Sequence, residues 1–201
     1  MIRAIIFDWG GVLIDDIAPF IVTYTANYFN VCRKDLAVQI DKNIFCFDKG
    51  VISEDIFWEK VCEAISIQKP HVRSLWGEAF KAGYSEKQDV LRLIDCLKNK
   101  GYKIGLLSNT EIPAVEFFYQ SGYTQFDAAV FSCQEGICKP KENIYEMVLE
   151  RLGVEPIEAI FIDDKEENVH GAKNIGLYTI LFVNPEQMRK ELELLLKKEN
   201  N

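Results

Sequence analysis

Residues 1–16 read MIRAIIFDWGGVLIDD, and the fold turns on what Ala4-Ile5-Ile6-Phe7 and the Asp8 after them form. The four apolar residues include two β-branched ones and show no polar alternation, the pattern of a strand buried on both faces of a parallel sheet. Asp8 stands where that strand must end. Gly10 and Gly11 give the backbone freedom to turn sharply and to approach a ligand closely. Open α/β sheets place their chemistry beyond the carboxyl ends of the strands. Within this stretch alone, Asp8 reads equally as a reactive carboxylate or as the cap of a turn.

Further along the chain the same pattern recurs. An apolar run at 103–107 leads into Ser108-Asn109-Thr110, and another at 159–162 leads into Asp163-Asp164. Shorter strands are expected at 128–131 and 178–183. Helical spacing fills the intervals at 86–100, 113–121, 142–152, 166–174 and 186–198. This alternation implies right-handed crossovers and an α/β fold with a doubly wound parallel sheet. The stretch from 17 to 84 departs from the rhythm. It predicts helices over 17–29, 34–44 and 71–82, a turn at 45–50, and a helix capped by Ser53 that stops before Pro70. It reads as a helical insertion placed directly after the first strand.

Composition narrows the function classes. With 201 residues, 48% of them hydrophobic, the chain can bury a sizeable core as one domain or as a domain with a smaller insertion. A net charge of −8 gives no general electrostatic reason to bind nucleic acid or an anionic membrane, so an anionic substrate needs a local positive site. No apolar run has the length of a membrane span and the N-terminus lacks a secretory pattern, so a cytoplasmic protein is expected. The six cysteines form no C-x-x-C pair and read as reduced core residues. His71 and His170 are too few for a histidine-rich zinc site. Trp9, Trp58, Trp76, Phe45 and Phe47 are expected to pack in the core or between domains rather than to cage a substrate. Oligomeric state is not assigned.

The candidate site comes from the strand ends taken together. Asp8, Ser108-Asn109 and Asp163-Asp164 would share one sheet edge, and Lys139 in Cys138-Lys139-Pro140 would open a helix beside them. Each feature alone is an ordinary turn or helix entry. Converging carboxylates repel and raise one another's pKa unless a cation compensates. Mg²⁺ suits oxygen ligands and binds with few carboxylates plus a phosphate oxygen. Lys139 could hold that phosphate, with Ser108 and the amides after it donating to the same oxygens.

In this order FDWGGV, LLSNT, CKP and FIDDKEEN resemble the haloacid dehalogenase-like hydrolase superfamily, and most closely its group of sugar-phosphate phosphatases and epoxide hydrolase phosphatase domains. The resemblance implies a Rossmann-like core at 1–15 and 85–201 and a small helical cap at 16–84. It implies Asp8 as nucleophile and metal ligand, with the Gly10 carbonyl and Asp164 as further ligands and Asp163 supporting the metal. Ser108 and Asn109 would bind phosphate, and Lys139 would bridge phosphate and nucleophile. Asn168 falls where related phosphatases often carry asparagine. The implied activity is Mg²⁺-dependent hydrolysis of a small phosphorylated metabolite through an aspartyl-phosphate. Dehalogenation is a second reading, and a phosphate-binding regulatory protein is a third.

Gly10 departs from the family pattern, in which a second aspartate serves as general acid. Asp15 or Asp16 could replace it, or the leaving group could be acidic enough to depart unaided, which favours a sugar 1-phosphate among anomeric, acyl and aryl phosphates. Phe47 and Trp58 are expected to influence substrate choice from the cap.

Overall fold

Every residue of β1 (Ala4–Phe7) is buried, because a parallel strand lies on each side of it and an apolar cluster covers each of its faces. The structure, a computed structural model, describes residues 1–199. With β2 (Lys103–Ser108), β3 (Ala128–Phe131), β4 (Ala159–Asp163) and β5 (Tyr178–Leu181), β1 forms one parallel sheet in the order β3-β2-β1-β4-β5. The chain leaves β1 toward one edge and later returns to its other side. This is the reversal at which open sheets create a crevice. The register pairs Phe7 with Leu106 and with Ile162, which brings Asp8 level with Asp163.

Alternation along the strands builds two cores. Ile5, Phe7, Ile104, Leu106, Ile160 and Ile162 face one side, where α5 (Gln88–Asn99), α6 (Ile112–Gln120) and α10 (Pro185–Glu199) pack. Ile6, Leu107 and Phe161 face the other, against α8 (Glu142–Leu152) and α9 (Glu166–Asn174). This is the doubly wound arrangement expected from the sequence.

Between β1 and α5 stand four helices, α1 (Ala18–Phe29), α2 (Arg33–Asp48), α3 (Glu54–Ala64) and α4 (Leu75–Gly83). Ser53 caps α3 by accepting from the Ile56 N–H, as its position predicts, and Ser74 caps α4 through the Gly77 N–H. The four helices share one continuous apolar cluster with the first sheet face. Trp9, directly after the strand end, makes the join. Its ring lies 5.2 Å from Phe80 of α4 and 5.4 Å from Phe118 of α6.

The structure corrects several sequence expectations. Residues 45–48 are not a turn but the last part of α2. Phe47 stacks on Phe57 at 4.6 Å and meets Trp76 edge-on at 5.3 Å, and burying that ring rewards another helical turn. Phe45, on the opposite side of the same turn, is 57% exposed and packs in no core. The reversal comes at Gly50, whose φ is +66°. A one-turn helix, α7 (Ser132–Glu135), was not anticipated, since four residues carry no readable period. Of the cysteines, Cys62, Cys133 and Cys138 are buried while Cys32, Cys46 and Cys96 are exposed, and all are free thiols.

Gly50, just after α2, lies tight against α7, because a Cβ there would sit 2.2 Å from the Cys133 carbonyl oxygen. Gly101 has a comparable φ of +89° but open space around it. Gly101→Ala should therefore show only the left-handed strain, about 1–2 kcal/mol. Gly50→Ala should lose more, with a Tm depressed by several degrees further in thermal unfolding.

Candidate active site

The strand ends bring Asp8, Ser108 and Asp163 together, and Lys139 reaches them from the loop before α8. Lys139 is 4% exposed, Asp8 6% and Asp163 0%. The Lys139 ammonium lies 2.8 Å from Asp8 Oδ1 and 2.6 Å from Asp163 Oδ2, and donates to the Leu107 carbonyl at 3.0 Å. Burial works against its charge, but Asp8 and then Asp163 outweigh it and hold the pKa above the usual lysine value. Burial pushes Asp8 up to about 7; Lys139 pulls it down, and the charge of Asp163 adds to the rise. Asp8 Oδ1 also accepts from the Trp9 N–H at 2.7 Å.

The remaining expected residues divide into those that face the cavity freely and those already committed. Ser108, 2% exposed, lies at the end of β2 beside Asp8 and lines the cavity. Asn109 also lines it, but its side chain is occupied by the backbone of Lys139. Its Nδ2 donates to the Lys139 carbonyl at 3.0 Å and its Oδ1 accepts from the Lys139 N–H at 2.8 Å. Asp163 is engaged at both oxygens, by Lys139, by the Lys165 N–H and by Asn168 Nδ2. Asn168 is held in turn, its carbonyl accepting from the Tyr145 hydroxyl at 2.8 Å.

Asp8, Asp163 and Asp164 each offer one oxygen within 4.8 Å of the others. Asp164 Oδ1 is buried and has no hydrogen-bond partner among the described residues, and burial followed by the charge of Asp163 raises its pKa. An uncompensated buried carboxylate is expensive, and a hard cation with oxygen ligands removes that cost. The donor set therefore fits a cation such as Mg²⁺. Gly11, not Gly10, makes room for the Asp164 carboxylate. A Cβ on Gly11 would lie 2.2 Å from Asp164 Oδ2, at a φ of +81° that only glycine adopts easily. A Cβ on Gly10 would meet nothing within 4 Å.

The two aspartates considered as substitutes for an acid at Gly10 separate. Asp15 is tied to Lys87 at 2.9 Å, with its pKa lowered first by that hydrogen bond and then by the lysine charge. Asp16 lines the cavity and accepts from the Ala18 N–H at 3.2 Å.

The cavity encloses about 430 Å³ between the strand ends and the inserted helices, in the range of small-molecule sites. A surface groove of about 480 Å³ between α5 and α10 is slightly larger, but it holds none of these groups. Phe47 and Trp58 do not line this cavity; they are 1% and 2% exposed inside the helical cluster. The aromatic side chains that α4 does present to it are Trp76 and Phe80. Sequence reasoning also missed an acidic pair. The side-chain carboxyls of Asp48, ending α2, and Glu111, after β2, hydrogen-bond to each other, which requires a shared proton. Burial is the largest cause of the rise in both pKa values, and Asp48 adds to that of Glu111. Glu111 also accepts from Trp76 Nε1 at 3.1 Å. The one signal for this was an acid directly after Ser-Asn-Thr.

The model of the haloacid dehalogenase-like hydrolases matches residues 2–176, and the chain belongs to that family. It is 33% identical to mouse acyl-CoA dehydrogenase family member 10 over 96% of its own length, and spans 19% of that longer protein. It is 26% identical to a D-ribitol-5-phosphate phosphatase of Bacteroides thetaiotaomicron, covering 98% of this chain and 99% of that one. A solved family enzyme of the same organism, in complex with magnesium and inorganic phosphate, superposes with a TM-score of 0.73 at 25% identity, over 90% of this chain and 93% of that one.

Electrostatics at Asp8 set a pH signature. Its folded pKa of about 7 exceeds the ordinary 3.8, so the fold takes up a proton that the unfolded chain has released. Stability on its account therefore falls as pH rises from about 4 to about 7. In the metal-free protein, Asp8→Asn should flatten this part of the Tm-against-pH curve and raise Tm at pH 7.5. A curve of unchanged shape in Asp8→Asn would show that Asp8 titrates normally.

Proposed function

We propose that this hydrolase is a Mg²⁺-dependent phosphatase acting on a small phosphorylated metabolite, with Asp8 as nucleophile. The observation that carries the reading is the buried Lys139 ammonium bonded to Asp8 beside Asp164, whose buried Oδ1 has no hydrogen-bond partner among the described residues. A lysine there can bind a phosphoryl oxygen while favouring the ionised form of Asp8, the form a nucleophilic carboxylate requires. The relative named for D-ribitol 5-phosphate and the solved complex with magnesium and phosphate support it. The acidic triangle argues against dehalogenation, where the same carboxylate could attack carbon without a cation.

In this reading Asp8, the Gly10 carbonyl and Asp164 hold Mg²⁺, with Asp163 ordering them through Lys139 and Asn168. When bound, Mg²⁺ supplies Lewis-acid neutralisation of the phosphoryl charge. Ser108 and the amides following it donate to the phosphoryl oxygens. Asn109 acts through Lys139, fixing the backbone from which the ammonium extends. Asp8 attacks phosphorus, the ester P–O bond breaks, and water then hydrolyses the aspartyl-phosphate to inorganic phosphate and free Asp8. Residues 1–15 and 85–201 form the catalytic core, and residues 16–84 are the cap that closes the cavity over the substrate and excludes water.

Gly10 supplies no acid for the leaving oxygen. A positioned acid typically contributes about a hundred- to ten-thousand-fold. A substrate whose leaving group is already acidic, such as a sugar 1-phosphate, an acyl phosphate or an aryl phosphate, lessens the need for it. Asp16, at the cavity mouth, is the remaining candidate for a displaced acid.

Phosphate release should vanish in Asp8→Asn, and Asp164→Asn should shift the Mg²⁺ requirement upward while the fold persists. Full turnover by verified Asp8→Asn protein would end this mechanism. Because a side chain at Gly10 meets open space, Gly10→Asp should fold normally and make the rate less dependent on leaving-group pKa. A wild-type rate that is already insensitive to that pKa, and becomes sensitive in Asp16→Asn, would assign the acid to Asp16 instead.

A further inference from the structure

The cavity beyond the phosphate end is walled by the inserted helices, and its chemistry there is aliphatic and aromatic. Ile21 from α1, Ile40 and Ile44 from α2, Trp76 and Phe80 from α4, and Ile17 before α1 converge on it. Ile21, Ile40, Trp76 and Phe80 are each at most 4% exposed in the whole protein, so these side chains are fixed by packing rather than mobile at a surface.

The charged residues of the same wall are poorly placed to receive hydroxyl groups. Asp16, Arg33 and Asp41 are exposed and stand at the rim. Asp48 and Glu111 lie inside, but they bond to each other, and Glu111 further accepts from Trp76 and from the Thr110 hydroxyl. Four buried polar atoms of the lining residues have no partner among the described residues. Asp164 Oδ1 and Asn168 Oδ1 belong to the phosphate end. Trp9 carries the third on an indole packed among Phe80, Phe118, Tyr123 and Phe131. That leaves Asp48 Oδ1, which has almost no accessible surface and belongs to the carboxyl beside Glu111, so it offers a ligand hydroxyl no acceptor.

We infer that the substrate is a phosphate monoester whose organic part is largely apolar and buries no hydroxyl. The inference rests on the phosphatase reading and departs from the sugar 1-phosphate favoured when Gly10 is considered alone. A polyol would leave several hydroxyls against Ile, Trp and Phe, each without a partner and each costing roughly tenfold or more in binding. An apolar body instead gains about fourfold for every methylene it buries. Among the leaving groups acidic enough to depart without an acid at Gly10, aryl phosphates satisfy both demands.

The test is a series of 4-alkylphenyl phosphates from methyl to butyl, whose leaving-group pKa is nearly constant, assayed with Mg²⁺ on the full chain. We expect kcat/KM to rise about fourfold per methylene until the cavity is filled. We also expect 4-ethylphenyl phosphate to exceed the similarly sized 4-(hydroxymethyl)phenyl phosphate by about tenfold or more. Ile44→Gln and Ile17→Gln, both at half-buried positions that tolerate a polar side chain, should lower the slope while leaving inhibition by inorganic phosphate unchanged. A flat series, or equal rates for the ethyl and hydroxymethyl esters, overturns the inference and leaves the phosphatase reading standing. Hydrolysis of none of these esters, nor of any sugar phosphate, removes the phosphatase reading and the inference with it.

Discussion

One buried ammonium organises the site. Lys139 has almost no solvent contact, and taking a charge out of water costs several kcal/mol unless partners replace the lost hydration. Here Asp8, Asp163 and the Leu107 carbonyl replace it, while the Phe161 ring lies 5.5 Å from the ammonium. Each partner comes from a different strand: Asp8 from the end of β1, Leu107 from β2 and Asp163 from β4. The lysine can be satisfied only when these strands are in register, so the sheet and the charge cluster depend on each other. Asn109 fastens the Lys139 backbone at both its N–H and its carbonyl, which keeps a long, flexible side chain aimed at one point.

The two adjacent glycines show how differently similar residues can serve. Gly11 is a steric necessity, since a side chain there would collide with Asp164 and the backbone is left-handed. Gly10 has an unstrained backbone and free space where a side chain would stand. The fold therefore does not demand glycine at position 10, and packing does not explain why no side chain stands there.

The inserted helices are not loosely attached. Trp9 directly follows the proposed nucleophile and packs against Phe80 of α4, while Glu111 links the loop after β2 to Asp48 of α2 and to Trp76 of α4. The same few residues therefore fix the distance from strand ends to helices and build the wall that surrounds the organic part of a ligand. A change in packing at this seam alters the shape of the cavity directly.

The sequence by itself determined the sheet, the helical insertion and the cluster of Asp8, Ser108, Lys139, Asp163 and Asp164. Buried parallel strands are written as unbroken apolar runs, and their carboxyl ends must share an edge. Local order at Ser53 was legible for the same kind of reason, because a cap depends on residues within one turn. Tertiary structure alone decided what depends on contacts between distant residues. The extension of α2 through Phe47 follows from Phe57 and Trp76, which are remote in the chain. The commitment of Asn109 to Lys139, and the separation of Asp16 from Asp15, follow from how the loops meet. The proton shared by Asp48 and Glu111 has the same origin, since neither carboxyl is unusual until folding buries one against the other.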